Sequence, residues 1–288
     1  MNLTPKTIQI FLPTGEPRGI RIAELTTRIL QVFEVPRNDL SHFYQMPECS
    51  QVGLYFLIGV GDNTDSTEVY IGQTGDLKER LKSHNKNKDF WDKALVVVSK
   101  TNSLTQTHAL FLEWLCIQEV RKADRFSDKN GNSGTRPHTP APLEADCLEM
   151  FDTASTLLAT LGQPLFLPLN TTDDTSNNDT FYCTKSDADG RGIYTNEGFV
   201  VFKGSNGRTE FVDSIKDTAT GRARQKLIDT GIMAEENGRL VFQRDHLFSS
   251  PSSAAIALMG RSANGWVEWR HEDGRTLDEL KRQDNETK

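Results

Sequence analysis

Tyr55, Tyr70, Arg80, His84 and Glu113 follow one another within about sixty residues, the tyrosines in Gly53-Leu54-Tyr55 and Tyr70-Ile71-Gly72. Two phenols, a guanidinium, an imidazole and one carboxylate suit metal-assisted cleavage of a phosphodiester. That reaction needs an activated water, charge stabilisation at the phosphoryl oxygens and help for the leaving oxygen. One carboxylate with waters and a phosphate oxygen satisfies Mg²⁺, which rarely uses an all-protein cage. Arginine clamps a phosphate with two donors. A tyrosine takes or relays the water's proton if metal and arginine lower its pKa, and a histidine near neutrality assists the transfer or orients a phenol.

These side chains need a scaffold. Residues 53–59 and 68–72 are apolar, strand-like runs around Gly61-Asp62-Asn63-Thr64-Asp65-Ser66-Thr67, a turn-rich segment that predicts a β-hairpin. The two tyrosines then lie on neighbouring strands and share a face if the register allows. Asp76 caps a following helix that runs to about His84, with Glu79 three residues on as a capping box. Arg80 and His84 are i and i+4 on it, one turn apart on one face. Residues 94–99 give a third strand, and 106–123 an amphipathic helix on which Leu110 and Ile117 flank Glu113. Before this unit, strands are expected at 7–12 and 19–24, a turn at 15–19 and a short helix near 23–32. After it, the prolines and glycines of 131–142 mark a boundary, a helix covers about 143–162, and 170–180 reads as an exposed polar linker. Farther on, strands are expected at 199–202 and 240–242, and helices at 222–229 and from Ser250-Pro251 to Gly260. Trp266-Val267-Glu268-Trp269, between Asn264-Gly265 and Asp273-Gly274, reads as part of a meander with the tryptophans on opposite faces.

Composition, at 36% hydrophobic and 25% charged residues, is that of a folded domain rather than a disordered chain. The absence of any long apolar run argues against a membrane span, and the polar amino terminus shows no secretory signal. Cys49, Cys116, Cys147 and Cys183 are widely spaced, so free thiols and a cytoplasmic location are expected. A net charge of −7 sits poorly with a nucleic-acid partner. The deficit, however, lies in residues 141–190, which hold one basic side chain, Lys185, against nine acidic ones. Around the candidate site, Lys78, Lys82, Lys86 and Lys88 join Arg80 as a local basic patch, the feature that phosphate contact requires.

On these motifs, residues 53–130 resemble the GIY-YIG nuclease family. Gly53-Leu54-Tyr55 stands for the first signature with Leu54 in place of isoleucine, and Tyr70-Ile71-Gly72 matches the second. The resemblance implies an α+β fold, a three-stranded antiparallel sheet flanked by helices, and DNA cleavage with a single divalent ion, Mg²⁺ or Mn²⁺. By the same resemblance Arg80 falls on the family's helix arginine, His84 on a histidine found in several branches, and Glu113 on the metal-binding glutamate. Asn130 is an additional candidate for a following asparagine, with Asn132 competing. Gln73 stands where the repair-nuclease branch often has lysine. Residues 198–205, 248–255 and 260–266 resemble a domain of unknown function often appended to such nucleases.

The expected organisation is therefore an N-terminal β-rich extension (1–45), a GIY-YIG-like domain (46–135), an acidic helix and polar linker (136–180) and an accessory α+β module (181–288). In the last, Lys203, Arg222, Arg224, Lys226 and Arg261 are candidate phosphate contacts, one of the tryptophans could stack on a base, and a protein partner is a further option. Two functional classes stand side by side: a metal-dependent DNA endonuclease, and a non-catalytic nucleic-acid-binding or regulatory protein on a nuclease scaffold. The presence of all the main members of the side-chain set favours the first.

Overall fold

The computed structural model describes residues 4–61, 67–131, 134–169, 180–210, 212 and 218–283. The chain divides into two compact units, Met1–Pro168 and Leu169–Lys288. The turn at 62–66 and the linker at 170–179 fall outside the described residues.

The first unit is built on a seven-stranded sheet in the order β1-β2-β3-β6-β4-β5-β7. Its strands are β1 (Ile8–Phe11), β2 (Arg21–Leu25), β3 (Leu30–Pro36), β4 (Gly53–Val60), β5 (Thr67–Thr74), β6 (Lys93–Ser99) and β7 (Ser127–Asp128). The three strands expected for the nuclease-like segment are present and antiparallel, as β6-β4-β5. They are not a separate three-stranded sheet, because β6 pairs along its whole length with β3. The N-terminal strands thus continue the same sheet. The helix expected near 23–32 is instead the β2–β3 hairpin, closed by Arg28 N–H donating to the Leu25 carbonyl (3.1 Å). Ala23, Leu25, Leu30 and Val32 all enter one core cluster, a period of two that only a strand satisfies. The β-branched Thr26, Thr27 and Ile29 between them also disfavour a helix.

Both faces of the sheet are covered, which is why β4 is apolar at nearly every position. Leu54, Phe56 and Ile58 point to one face, under α3 (Gln106–Ala123) and α4 (Ala141–Thr160). Tyr55 and Leu57 point to the other, with Leu77 and Leu81 of α2 (Leu77–Asn87) and the indole of Trp91. Though acidic on its outer side, α4 buries Cys147, Ala154, Leu157 and Leu158 in the first core and is part of this unit. A four-residue helix, α1 (Leu40–Phe43), adds Leu40 and Phe43 to the second core.

The second unit contains a five-stranded sheet, β14-β10-β9-β8-β15, and a three-stranded one, β11-β13-β12. Their strands are β8 (Phe181–Cys183), β9 (Gly190–Thr195), β10 (Gly198–Val201), β11 (Asn206–Gly207), β12 (Met233–Glu236), β13 (Arg239–Phe242), β14 (His246–Phe248) and β15 (Arg270–His271). Helices α5 (Ala219–Asp229), α6 (Pro251–Met259) and α7 (Gly265–Glu268) accompany them. The last corrects the expected meander strand. The Asn264 side chain accepts from the Trp266 N–H (3.2 Å), starting a helical turn where an Asn-Gly hairpin was anticipated. The tryptophans accordingly do not sit on opposite strand faces. Trp269 is fully buried, 4.2 Å from the Phe199 ring centroid, with its indole N–H on the Pro251 carbonyl (3.0 Å). Trp266 is half-buried against Tyr194, beneath the Arg282 guanidinium.

Candidate active site

In the β4–β5 register Tyr55 faces Gly72 and Tyr70 faces Leu57, so the tyrosines are diagonal neighbours on the same face. Their ring centroids are 6.4 Å apart. The register decides the role of Gly72: a Cβ there would overlap the Tyr55 phenol ring and its hydroxyl. The glycine of the second motif is the space into which the tyrosine of the first is laid.

Helix α2 supplies the next two groups. It starts at Asp76, whose carboxylate accepts from the Glu79 N–H (3.0 Å), and runs three residues beyond His84. Leu77 and Leu81 anchor it on the tyrosine face of the sheet. That rotation brings His84 over the tyrosines, at 5.3 Å from each ring centroid, with Nε2 2.8 Å from the Tyr55 hydroxyl. Burial, followed by the nearby charges of Lys88 and Arg80, lowers the His84 pKa to about 4, so the ring is neutral near pH 7. Burial also raises the Tyr55 pKa, assisted by Tyr70 and opposed by Arg80. The pair is therefore a neutral phenol bonded to a neutral imidazole. Arg80 is exposed, and its guanidinium makes no hydrogen bond or ion pair among the described residues.

A consequence is acid lability. The folded pKa of His84 lies below the ordinary 6.5, so its contribution to stability is complete above 6.5 and is lost as pH falls toward 4. Relative to a His84→Asn protein, the wild type should lose about 2 kcal/mol more over that interval. Urea titrations at several pH values measure it, and parallel pH profiles for the two proteins would refute the shift.

Glu113 comes from α3, on the opposite side of the sheet, and reaches the open edge of β5. Its Oε1 accepts the Gln73 N–H (3.1 Å). Burial raises its pKa, against the opposing effects of that hydrogen bond and of Arg80. Its second oxygen has no hydrogen bond or ion pair among the described residues. Ile117 is buried beneath it, but Leu110, expected in the same apolar stripe, is exposed. Beyond Glu113 the same edge is covered by Asn130, whose amide accepts from Ile71 N–H (2.9 Å) and donates to Ile71 O (2.6 Å). Both ends of Asn130 are thus engaged in holding the strand rather than pointing into the tyrosine cluster. Asn132 lies outside the described residues.

Of the four lysines, Lys88 stands closest to the cluster, with Nζ 4.0 Å from the Tyr70 ring centroid. Lys82 pairs with Glu79 (2.8 Å), Lys86 is exposed and Lys78 half-exposed on the same helix. Gln106, which sequence reasoning passed over, donates its amide to the Gln73 side chain and ties the first turn of α3 to β5. Its type and position carry no signal without the fold.

Two tyrosines, an imidazole, a guanidinium and an edge carboxylate, set on a β-hairpin and two helices in this order, have a counterpart among known families. Residues 51–126 match the GIY-YIG catalytic domain. Residues 181–281 match DUF4357, a domain of unknown function. No curated protein and no solved structure matches the chain. GIY-YIG domains are nuclease domains that generally depend on a divalent metal. In this chain the GIY-YIG span covers β4 through the start of the segment leading to β7, whereas β1–β3 and α4 complete its sheet and core from outside the matched residues.

In the DUF4357 unit the candidate phosphate contacts divide. Arg224 is buried and donates to the carbonyls of Ala257, Thr209 and Arg208, a structural role. Arg261 is bonded to Glu268 and Ser186, and Lys226 is half-buried, while Lys203 and Arg222 are exposed. The four cysteines of the chain are buried free thiols. No helix among the described residues is long and apolar enough to cross a membrane.

Proposed function

We propose that this protein is a DNA endonuclease that hydrolyses phosphodiester bonds with one divalent cation, Mg²⁺ or Mn²⁺, beside Glu113. The observation that carries the reading is the 2.8 Å hydrogen bond between the Tyr55 hydroxyl and a neutral His84, with Arg80 and Glu113 close enough to act electrostatically on Tyr55. Among the described residues no three His, Cys, Asp or Glu side chains converge on a metal position. A single carboxylate with one oxygen uncommitted fits a largely hydrated Mg²⁺ or Mn²⁺ completed by substrate phosphate, and does not fit a zinc or calcium cage. When bound, such an ion would polarise a phosphoryl oxygen and offset its charge.

The protein's own groups account for the proton. Tyr55 is a phenol, not a phenolate, so it acts by relay. Its hydroxyl proton passes to His84 Nε2 as its oxygen takes a proton from the attacking water, whose oxygen bonds to phosphorus while the bond to the leaving oxygen breaks and that oxygen takes a proton from solvent. This requires His84 to carry its resting proton on Nδ1. Burial first, and then the charges of Lys88 and Arg80, depress the basicity of His84; an incoming phosphate would offset the charge contribution and raise that basicity in part. Arg80, with no competing ion pair among the described residues, clamps the phosphoryl oxygens. Tyr70 packs against His84 and orients it, and Lys78, Lys82, Lys86 and Lys88 extend the phosphate-binding surface along α2. The DUF4357 unit is assigned an accessory role in partner or DNA engagement.

Nicking of supercoiled plasmid in Mg²⁺ tests the scheme. Tyr55→Phe deletes the relay while keeping the ring, and should slow cleavage by about 10²- to 10⁴-fold with plasmid binding retained. Equal rates for Tyr55→Phe and wild type would remove Tyr55 from the mechanism. Wild-type binding without cleavage would favour the non-catalytic alternative.

A further inference from the structure

Arg37 follows β3 directly, in the short 3₁₀ turn Arg37–Asp39, outside the GIY-YIG span. Its guanidinium makes four hydrogen bonds around the end of α2. Nε donates to Asn85 Oδ1 (2.8 Å), Nη2 to the Asn85 carbonyl (2.8 Å), and Nη1 to the carbonyls of Asp89 (3.1 Å) and Trp91 (3.0 Å). The same group lies 4.7 Å from the Trp91 ring centroid. Asn85 immediately follows His84, and its carbonyl belongs to the last turn of the helix, where acceptors lack intrahelical partners and a cation is favoured.

The segment being gripped is held on its other side as well. The Arg37 N–H donates to Asp92 O (2.8 Å), and Asp92 N–H to Ile58 O of β4 (2.9 Å). A Cβ on Gly59 would overlap the Phe90 carbonyl, so the loop crosses β4 at backbone contact. Lys88, in this loop, donates its N–H to His84 O (2.9 Å) and rests its ammonium on Tyr70. The nearest acid, Asp89, is 3.9 Å away and 99% exposed, so charge pairing adds little. What Arg37 supplies is a planar fork that reaches four acceptors at once, which an ammonium cannot do.

We propose that Arg37 is a positioning residue for the cleavage site, fixing from the N-terminal strands the last turn of α2, which carries His84, and the loop that follows it with Lys88. The proposal rests on the hydrolytic reading only for its kinetic consequence. On it, the first three strands belong to the working nuclease rather than to an appendage.

Arg37→Ala and Arg37→Lys, in the full chain, separate this role from bulk stability. In both, the imidazole ¹⁵N resonances of His84 should shift or broaden as the Tyr55 hydrogen bond loosens. The kcat for plasmid nicking should fall about tenfold or more, with KM changed less than about twofold. Free guanidinium at low millimolar concentration should restore part of the rate to Arg37→Ala and none to Arg37→Lys. Should Arg37→Ala fail to fold, Arg37→Lys carries the test, because it keeps the positive charge and an aliphatic stem. Unchanged His84 resonances in a folded Arg37→Lys protein would overturn the proposal, as would an unchanged kcat. A wild type that does not cleave would sink the hydrolytic reading alone, since the His84 resonances report the positioning independently.

Discussion

Glu113→Ala is expected to abolish Mg²⁺-dependent cleavage, by about 10³-fold or more, on the scale of losing a group that stabilises transition-state charge. The substitution removes two things. One is the carboxylate proposed to hold the cation; the other is the acceptor for the Gln73 N–H at the edge of β5. Glu113→Gln separates them, because its amide oxygen still accepts from Gln73 while the negative charge is gone. Glu113→Gln should therefore retain wild-type stability and lose nearly as much activity as Glu113→Ala, which should also be destabilised by about 1 kcal/mol. Single-turnover nicking rates and urea midpoints read the two effects apart. A Glu113→Gln enzyme within a few-fold of wild type would show that the charge is not used, and the metal assignment would fail with it.

The second large effect belongs to Gly72. Adding one methyl group there drives a Cβ into the Tyr55 hydroxyl and ring, and Tyr55 has no room to retreat, being buried between the sheet, Tyr70 and His84. Gly72→Ala is expected to cost about 2–3 kcal/mol, the upper range for overpacking a closed core. The surviving folded protein should have lost the Tyr55–His84 hydrogen bond and with it cleavage. Gly75→Ala is the control: its nearest neighbour, the Gln106 side chain, is 3.8 Å from the added atom. Comparable stability of the two alanine variants would mean that the close approach at Gly72 is not a constraint.

Much of the local structure was legible in sequence because it depends on neighbours a few residues apart. The cap at Asp76, the apolar runs of β4 and β5, and the positions of Arg80 and His84 on one helix face all follow from short-range rules. The misreadings have a common origin. Residues 23–32 and 264–269 are short segments whose local signals were ambiguous, and tertiary packing chose between the readings. In the first, pairing of β3 with β6 selected the hairpin; in the second, burial of Trp269 on Phe199 selected a helical turn. Arg224 reads as a surface cation until its three carbonyl partners are seen.

By itself the sequence determined which chemical groups are available and the elements that carry them: two phenols on adjacent strands, a guanidinium and an imidazole one turn apart, and a carboxylate on a later helix. Only the tertiary structure decided that they meet. The β4–β5 register placed both tyrosines on one face and made Gly72 the space for Tyr55. The open edge of β5 let Glu113 reach from the far side of the sheet, and the clamp of Arg37 tied α2 to strands that the motif does not include. Register, edge and clamp are contacts between residues far apart in the chain, and spacing along a sequence holds no information about which distant backbone a side chain will find.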